Sequence, residues 1–459
     1  MISASLSPST VSAPAVRRGR LGFGLTRRTL LLFLAGALWL VPGFFFPRIV
    51  WGMAVWDAIL VLAVVLDARR LPAPGQIVAE RVWRSAPALA NETEVEIRLT
   101  QQGSMLLRCT ATDDLTEALV QSPPVVNLDL YPSGQSKALY RFTPRERGDH
   151  NIGNLYLRYR SANAGLVERW TFADLRQTVR VYPSIRATSE QSLFLTRSKQ
   201  IELQQRLQRQ RGLGRDFESL RDYREGDDLR DICWTATARR GTPVTRQYQT
   251  EKSQPVWLLM DAGRLMQART AQYTRLDYAT TTALALSQLA LASGDRVGLL
   301  AYGNAVQQRV GLGRGAPQLR QLMESLAQVR GEYGEADHLH ATVTLNRMQP
   351  RRSLVLWITD MAETSMRPEV VDGAMHLMRR HLMLFVAMRQ TDLVSLAGQR
   401  PEDRRQMFDI AAAQELVHRR ALLMAQLRDQ GALTIETEPE NLTAAVLNRY
   451  LDVKEQSLL

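Results

Sequence analysis

From Pro255 onward, short apolar runs alternate with segments of helical period, and this alternation constrains the chain more than any other feature. Val256-Trp257-Leu258-Leu259-Met260 reads as a buried strand closed by Asp261. Residues 274–292 follow as a helix, with Leu276, Ala279, Ala283, Leu286 and Ala290 recurring every three or four positions along one face. Further strands are predicted at 296–302, 353–358, 381–388 and 433–437, and helices at 316–329, 338–348, 366–380, 402–430 and 441–453. Strands alternating with helices predict an α/β fold, a doubly wound and mainly parallel sheet over residues 254–459. Such sheets gather ligands at the carboxyl ends of their strands, where Asp261 and Asp360 stand.

Upstream the pattern differs. After the linker Leu71-Pro72-Ala73-Pro74-Gly75, β-like runs at 76–83, 92–100, 105–111, 137–142, 155–159 and 178–182 are separated by turn signals such as Pro132-Ser133-Gly134. That spacing predicts a small antiparallel sandwich-like domain over residues 76–185. It carries no catalytic constellation, so a binding or spacer module is expected.

The N-terminus points to a membrane. Residues 1–28 read as a basic cytoplasmic tail, small, polar and unstructured from Met1 to Val16, with Arg17, Arg18, Arg20, Arg27 and Arg28 at its end. Two apolar stretches, 30–46 and 49–66, follow within residues 29–68, interrupted by Pro42, Gly43, Pro47 and Arg48. Each is close to the minimum length of a transmembrane helix. Arginines before the first and after the second, with Arg48 alone between, predict a two-span hairpin in the bacterial inner membrane, with both termini and the soluble domains cytoplasmic. Asp57 in the second stretch is read as an acid satisfied within the hairpin or at a subunit contact.

Residues 200–250 carry the densest mixture of arginines, acids and aromatics. Arg215, Asp216, Arg221, Tyr223, Asp227, Arg230, Trp234 and Arg239 are the candidate partner-binding residues, with Phe217, Leu220, Leu229 and Ile232 threaded among them as apolar anchors. Tyr223 and Trp234 are read either as further anchors or as part of the recognition face. Trp, Tyr and Arg dominate interface energetics. Across the chain, 58 Lys and Arg against 46 Asp and Glu give +12, which favours acidic partners. Within this segment the acids would repel a polyanion, so nucleic acid is disfavoured. Only Cys109 and Cys233 are present, which argues against a disulfide scaffold and fits a reducing compartment.

The block Gly214-Arg215-Asp216-Phe217, Leu220-Arg221-Asp222-Tyr223, Gly226-Asp227, Arg230, Ile232, Trp234 and Ala238-Arg239, followed by the strand ending in Asp261, resembles the bacterial family called domain of unknown function 58. The two apolar stretches and Val181-Tyr182-Pro183 fit its usual layout. The resemblance implies a von Willebrand factor A-like fold and association with MoxR-type AAA+ ATPases. It implies no established reaction.

The A-type fold holds a divalent cation with Asp-x-Ser-x-Ser, a Thr and a further Asp. Here the first loop reads Asp261-Ala262-Gly263-Arg264-Leu265, so both serines are missing and an arginine is added. Asp360 matches the third loop, and two carboxylates fall short of the ligand count. Asp261 and Asp360 are therefore expected to cap helices or pair with arginines. No phosphate loop and no Gly-x-Ser-x-Gly is present. His338-Leu-His340 lacks a third ligand nearby. The expectation is a membrane-anchored, non-enzymatic adaptor without a cofactor, working with a MoxR-type ATPase on a membrane or envelope complex. The alternatives are a divalent-metal hydrolase using Asp261 and Asp360, and a protein that binds anionic lipid through its arginine-rich flank.

Overall fold

The first strands lie where the sequence predicts a basic tail. In the computed structural model, which describes residues 10–17, 22–39, 50–184, 216–224, 232–249, 253–270, 272–361 and 369–456, Thr10–Arg17 forms β1 and Phe23–Leu25 forms β2. β1 corrects the expectation that the chain up to Val16 is unstructured. β1 is poor in large apolar groups and gives little strand signal of its own. It is held by two neighbours at once, pairing antiparallel with both flanking strands of the sheet, and small residues such as Ala15, which is buried against them, suit that position.

The chain divides into two units, Met1–Tyr182 and Pro183–Leu459. In the first, β3 (Ile77–Trp83), β4 (Thr93–Gln101), β5 (Leu107–Asp113), β6 (Val125–Leu130), β7 (Gln135–Phe142), β9 (Leu155–Ser161) and β10 (Val167–Ala173) run in the order β6-β5-β9-β10-β1-β3-β4-β7, with β2 beside β10. β8 (Gly148–Ile152) and β11 (Gln177–Val181) pair separately. β6, β8 and β10 lie outside the strands predicted from sequence. β8, Gly-Asp-His-Asn-Ile, is polar enough to read as a turn. Strict alternation, as in β9, sends Leu155, Leu157 and Tyr159 into one core shared by both halves of the sheet. Buried in it, Arg81 donates through Nε to Asp113 Oδ2 (3.0 Å) and through Nη1 to the Leu175 carbonyl (2.7 Å), and Tyr140 donates to the same carboxylate.

Among the described residues of this unit there are two α-helices. α1 (Arg27–Ala37) is about 16 Å long and α2 (Val50–Arg70) about 31 Å. Among the described residues one helix, Trp51–Arg70, is long and apolar enough to cross a membrane. The two run antiparallel: Gly36 faces Trp56 and Asp57, and Gly52 faces Trp39. Trp56 Nε1 donates to the Leu32 carbonyl at 3.1 Å. The free ends of both helices meet the β9–β10 turn. Thr26 Oγ1 donates to Gly165 O (2.7 Å) and Thr29 Oγ1 to Leu166 O (2.5 Å), while Asp67 Oδ2 accepts from the Leu166 and Val167 amides (2.8 and 3.1 Å).

In the second unit β12 (Asp216–Asp222) and β13 (Val244–Gln249) pair antiparallel, with α3 (Trp234–Arg240) between them in sequence. The main sheet contains β14 (Pro255–Asp261), β17 (Arg296–Tyr302), β18 (Val306–Gly313), β19 (Leu354–Ile358), β20 (Leu382–Met388) and β21 (Leu433–Thr437) in the order β18-β17-β14-β19-β20-β21. The pairs are parallel except β17 with β18, an antiparallel edge strand that the sequence reading did not place. The two-residue strands β15 (Arg269–Thr270) and β16 (Tyr273–Thr274) pair on their own. α4 (Arg275–Ala292), α5 (Gly315–Gln328), α6 (His338–Met348), α7 (Glu369–Met378), α8 (Thr391–Ala397), α9 (Arg404–Asp429) and α10 (Pro439–Glu455) supply the crossovers and flanking layers. α4 starts at a Thr274/Asp277 capping box and α6 at Asp337, whose carboxylate accepts from the His340 amide. Separate buried clusters lie on the two faces of the sheet.

Candidate functional site

The carboxyl ends of β14 and β19 lie side by side because Met260 is in register with Ile358. Asp261, the last residue of β14, and Asp360, two residues beyond β19, are therefore neighbours, 2% and 1% exposed. Asp261 is held by hydrogen bonds at both oxygens: Oδ1 accepts from the Gly263 amide and Oδ2 from Thr359 Oγ1, each at 2.7 Å. Burial pushes its carboxyl up to about 6, although both hydrogen bonds pull it down; the Asp360 carboxylate adds to the upward shift.

Asp360 is occupied more completely. Arg275, the first residue of α4, donates to Oδ2, and Arg420 from α9 donates to Oδ1 at 2.7 Å. The Met361 amide donates to Oδ1 as well (3.0 Å). Arg420 is itself fixed by Glu436 Oε1 and the Met388 carbonyl, both 2.8 Å away. Two guanidinium groups thus stand around the carboxylate that the A-type pattern assigns to a cation. A hard divalent cation needs several free oxygens, and here every oxygen of the pair is engaged by a donor. The residues do not fit a metal, and the Asp261 loop offers no hydroxyl ligand at positions 263 and 265.

Thr359 is the hydroxyl bridging the two loops: it donates to Asp261 and also approaches the Asp360 carbonyl (3.2 Å). Arg275 and Arg420 gave no signal in the sequence, lying 85 and 60 residues from Asp360.

Beneath this pair, Trp357 Nε1 donates to Tyr302 Oη (2.8 Å), and Tyr302 Oη meets His338 Nδ1 (2.9 Å). Burial drives the His338 imidazole down to about 4 and holds the Tyr302 phenol well above its ordinary value. His338 is therefore a neutral packing residue at physiological pH. His340 contributes its amide to the start of α6. Cys109 and Cys233 are buried free thiols, and burial pushes Cys109 up to about 12.

The signature segment is described in part; Arg215, Asp227 and Arg230 lie outside the described residues, as does Leu229. Asp216 and Arg221 are on β12, opposite Gln249 and Thr245 of β13. The Tyr223 amide donates to the Pro243 carbonyl (2.9 Å), which aligns the end of β12 with the start of β13. Arg221 Nη1 donates to the Asp222 carbonyl (3.2 Å). Ile232 is buried as an anchor, whereas Trp234, at the head of α3, is 67% exposed. The anchor reading of Trp234 is thereby corrected: with Ile232 bridged to Thr245 and the Cys233 amide bonded to the Val244 carbonyl, the chain turns the next side chain outward. Arg239 is exposed on the last turn of α3, which Gly241 ends in the left-handed region (φ 70°).

Comparison with known proteins agrees with the sequence resemblance. The family described as "Protein of unknown function DUF58" matches residues 219–400, so the chain carries a region of this family across the signature segment and most of the α/β sheet. Uncharacterized proteins of Mycobacterium tuberculosis and Mycobacterium bovis are 28% identical over 151 residues, 32% of this chain. The chain spans about half the length (48%) of these curated relatives. Among solved structures, conserved hypothetical protein BatB from Bacteroides thetaiotaomicron covers 44% of the chain at 12% identity with a TM-score of 0.30, over 100% of its own length. An aerotolerance-related membrane protein from Bacteroides fragilis covers 44% at 14% identity with a TM-score of 0.28, over 99% of its own length.

Proposed function

We propose that this chain is a membrane-anchored, non-enzymatic interaction scaffold whose A-like α/β unit binds a protein partner without a bridging metal. The observation that carries the reading is the enclosure of Asp360 by Arg275 and Arg420. In an adhesion-type site the cation offers an open position to a partner's carboxylate. Here guanidinium groups take the place of that charge and lock α4 and α9 to the end of β19. The same enclosure weighs against the hydrolase alternative, since neither Asp261 nor Asp360 has an oxygen free to activate water.

In this reading α1 and α2 belong to a two-span hairpin of the inner membrane, with termini and soluble units in the cytoplasm. Both helices return to one turn of the β unit, which supports that topology. Recognition is assigned to the signature segment, where Trp234 and Arg239 are displayed on α3. The partner we propose, on the family resemblance, is a MoxR-type AAA+ ATPase acting in assembly or maturation of a membrane or envelope complex. Co-purification of the full chain with that ATPase, with ATP and with a non-hydrolysable analogue, tests this. Enrichment in either state is expected and should survive chelation of divalent ions from the chain before mixing. No enrichment in either state refutes the partnership.

A further inference from the structure

On the outer face of the β unit three arginines, Arg108, Arg158 and Arg160, outnumber the two acids among them, Asp129 and Glu168. Arg108 on β5 stands directly opposite Arg160 on β9, and both point away from the core. Like charges facing each other across a strand pair destabilise it. Glu168 on β10 is opposite Arg160 in register but turns to Arg158, at 3.7 Å. Asp129 on β6 is the register partner of Arg108 on its other side, and no ion pair joins them. Neither Arg108 nor Arg160 makes an ion pair or side-chain hydrogen bond among the described residues. These side chains, with Arg158, Asp129 and Glu168, line a groove of about 360 Å³.

The groove leads to the base of the helix pair. β9 ends at Ser161, and the turn that follows is the one clamped by Thr26, Thr29 and Asp67. Gly165, at φ +57°, sits in that turn. A Cβ built on it would lie 3.7 Å from Arg28 Nη1 and 3.9 Å from Arg160 Cδ. Arg28 and Arg160 thus flank one glycine, and Arg108 is one strand further along the sheet. Arg27, Arg69 and Arg70, all exposed, stand at the same ends of the two helices. Arginines separated in sequence by the apolar stretches are brought to one level by the antiparallel pairing of α1 and α2.

We propose that Arg28, Arg160 and Arg108 form a headgroup site for anionic phospholipid of the leaflet facing the β unit, the phosphate lying between the two opposed arginines. This rests on the membrane-anchored reading. The commitment to lipid over a soluble anion comes from the continuity of the strip with the base of the apolar helix. Occupancy relieves the Arg108–Arg160 repulsion and couples the β unit to the bilayer surface.

The test uses the full chain in nanodiscs of phosphatidylcholine with and without phosphatidylglycerol, with native mass spectrometry of the lipids retained. The wild-type chain should retain phosphatidylglycerol preferentially, and that preference should fall about fivefold for each arginine removed in Arg28→Gln, Arg108→Gln and Arg160→Gln. Arg379→Gln, on the other unit, should leave it unchanged. Equal retention by the triple variant and the wild type overturns the proposal. So does protection of the chain by inorganic phosphate in pure phosphatidylcholine with no further gain from phosphatidylglycerol, which would assign the groove to a soluble anion. Carbonate extraction of native membranes separates the two readings: a chain that stays in the membrane without lipid preference fails this proposal alone. A chain that is extracted fails the anchoring, and the lipid site with it.

Discussion

Replacing Asp261 by asparagine isolates the electrostatics of the site. The folded carboxyl is pushed up from 3.8 to about 6, chiefly by burial. A group raised in this way binds more protons folded than unfolded between those values, so stability falls as pH rises through that window. The difference of about two pH units, at 1.36 kcal/mol each, makes the ionised form a burden of about 3 kcal/mol above pH 6. Asparagine keeps the geometry: its carbonyl can accept from the Gly263 amide and its amide can donate to Thr359 Oγ1, reversing that hydrogen bond. Denaturant unfolding of the full chain in micelles, followed for wild type and Asp261→Asn, measures the effect. The stability difference should shift in favour of the variant by about 3 kcal/mol between pH 3.5 and pH 7.5, with the change concentrated between pH 4 and pH 6. Other titrating groups are common to both chains and cancel. A variant less stable at pH 7.5 than at pH 3.5, relative to wild type, would refute the burial argument. A pH-independent difference would place the Asp261 carboxyl at its ordinary value.

Three further outcomes are expected. Arg420→Met removes one guanidinium from buried Asp360 and leaves Glu436 unpaired, so the α/β unit should lose about 3–5 kcal/mol in urea unfolding; a loss below 1 kcal/mol would mean the pair is not held as described. A Cβ on Gly36 would lie 2.6 Å from the Trp56 ring, so Gly36→Val should lower the melting temperature in micelles, while Gly75→Ala, with nothing within 4 Å, should not. Trp234→Ala should leave unfolding free energy within about 0.5 kcal/mol of wild type, yet weaken partner retention by about 2 kcal/mol or more, measured by quantitative pull-down. Unchanged retention would remove Trp234 from the interface.

The elements easiest to read were those whose signal is local. Val256–Met260 was legible as a buried strand because the apolar run is short and bounded by Pro255 and Asp261. Thr274 and Asp277 fix the start of α4 through a capping box three residues wide. The absence of serine at positions 263 and 265 after Asp261 was equally legible, since it is written in adjacent residues. β1 and β18 were not legible. Each is an antiparallel strand of modest hydrophobicity, stabilised by pairing with a neighbour rather than by its own burial pattern. The burial of Ile232 and the outward turn of Trp234 also depend on pairing: hydrogen bonds to β13 determine which of two nearby apolar residues is covered.

By itself, then, the sequence determined the alternation of the parallel strands β14, β17, β19, β20 and β21 with helices in the second unit, the apolar helix near the N-terminus and the lack of hydroxyl ligands in the Asp261 loop. Only the tertiary structure decided what neutralises Asp360 and what surrounds Arg160. Hydrophobic period and capping act over a few residues and leave a trace in the chain. Charge compensation acts across space: parallel pairing of β14 with β19 and the helix crossovers bring Arg275 and Arg420 to one carboxylate. In the other unit, antiparallel pairing sets Arg108 against Arg160 with no acid bonded to either.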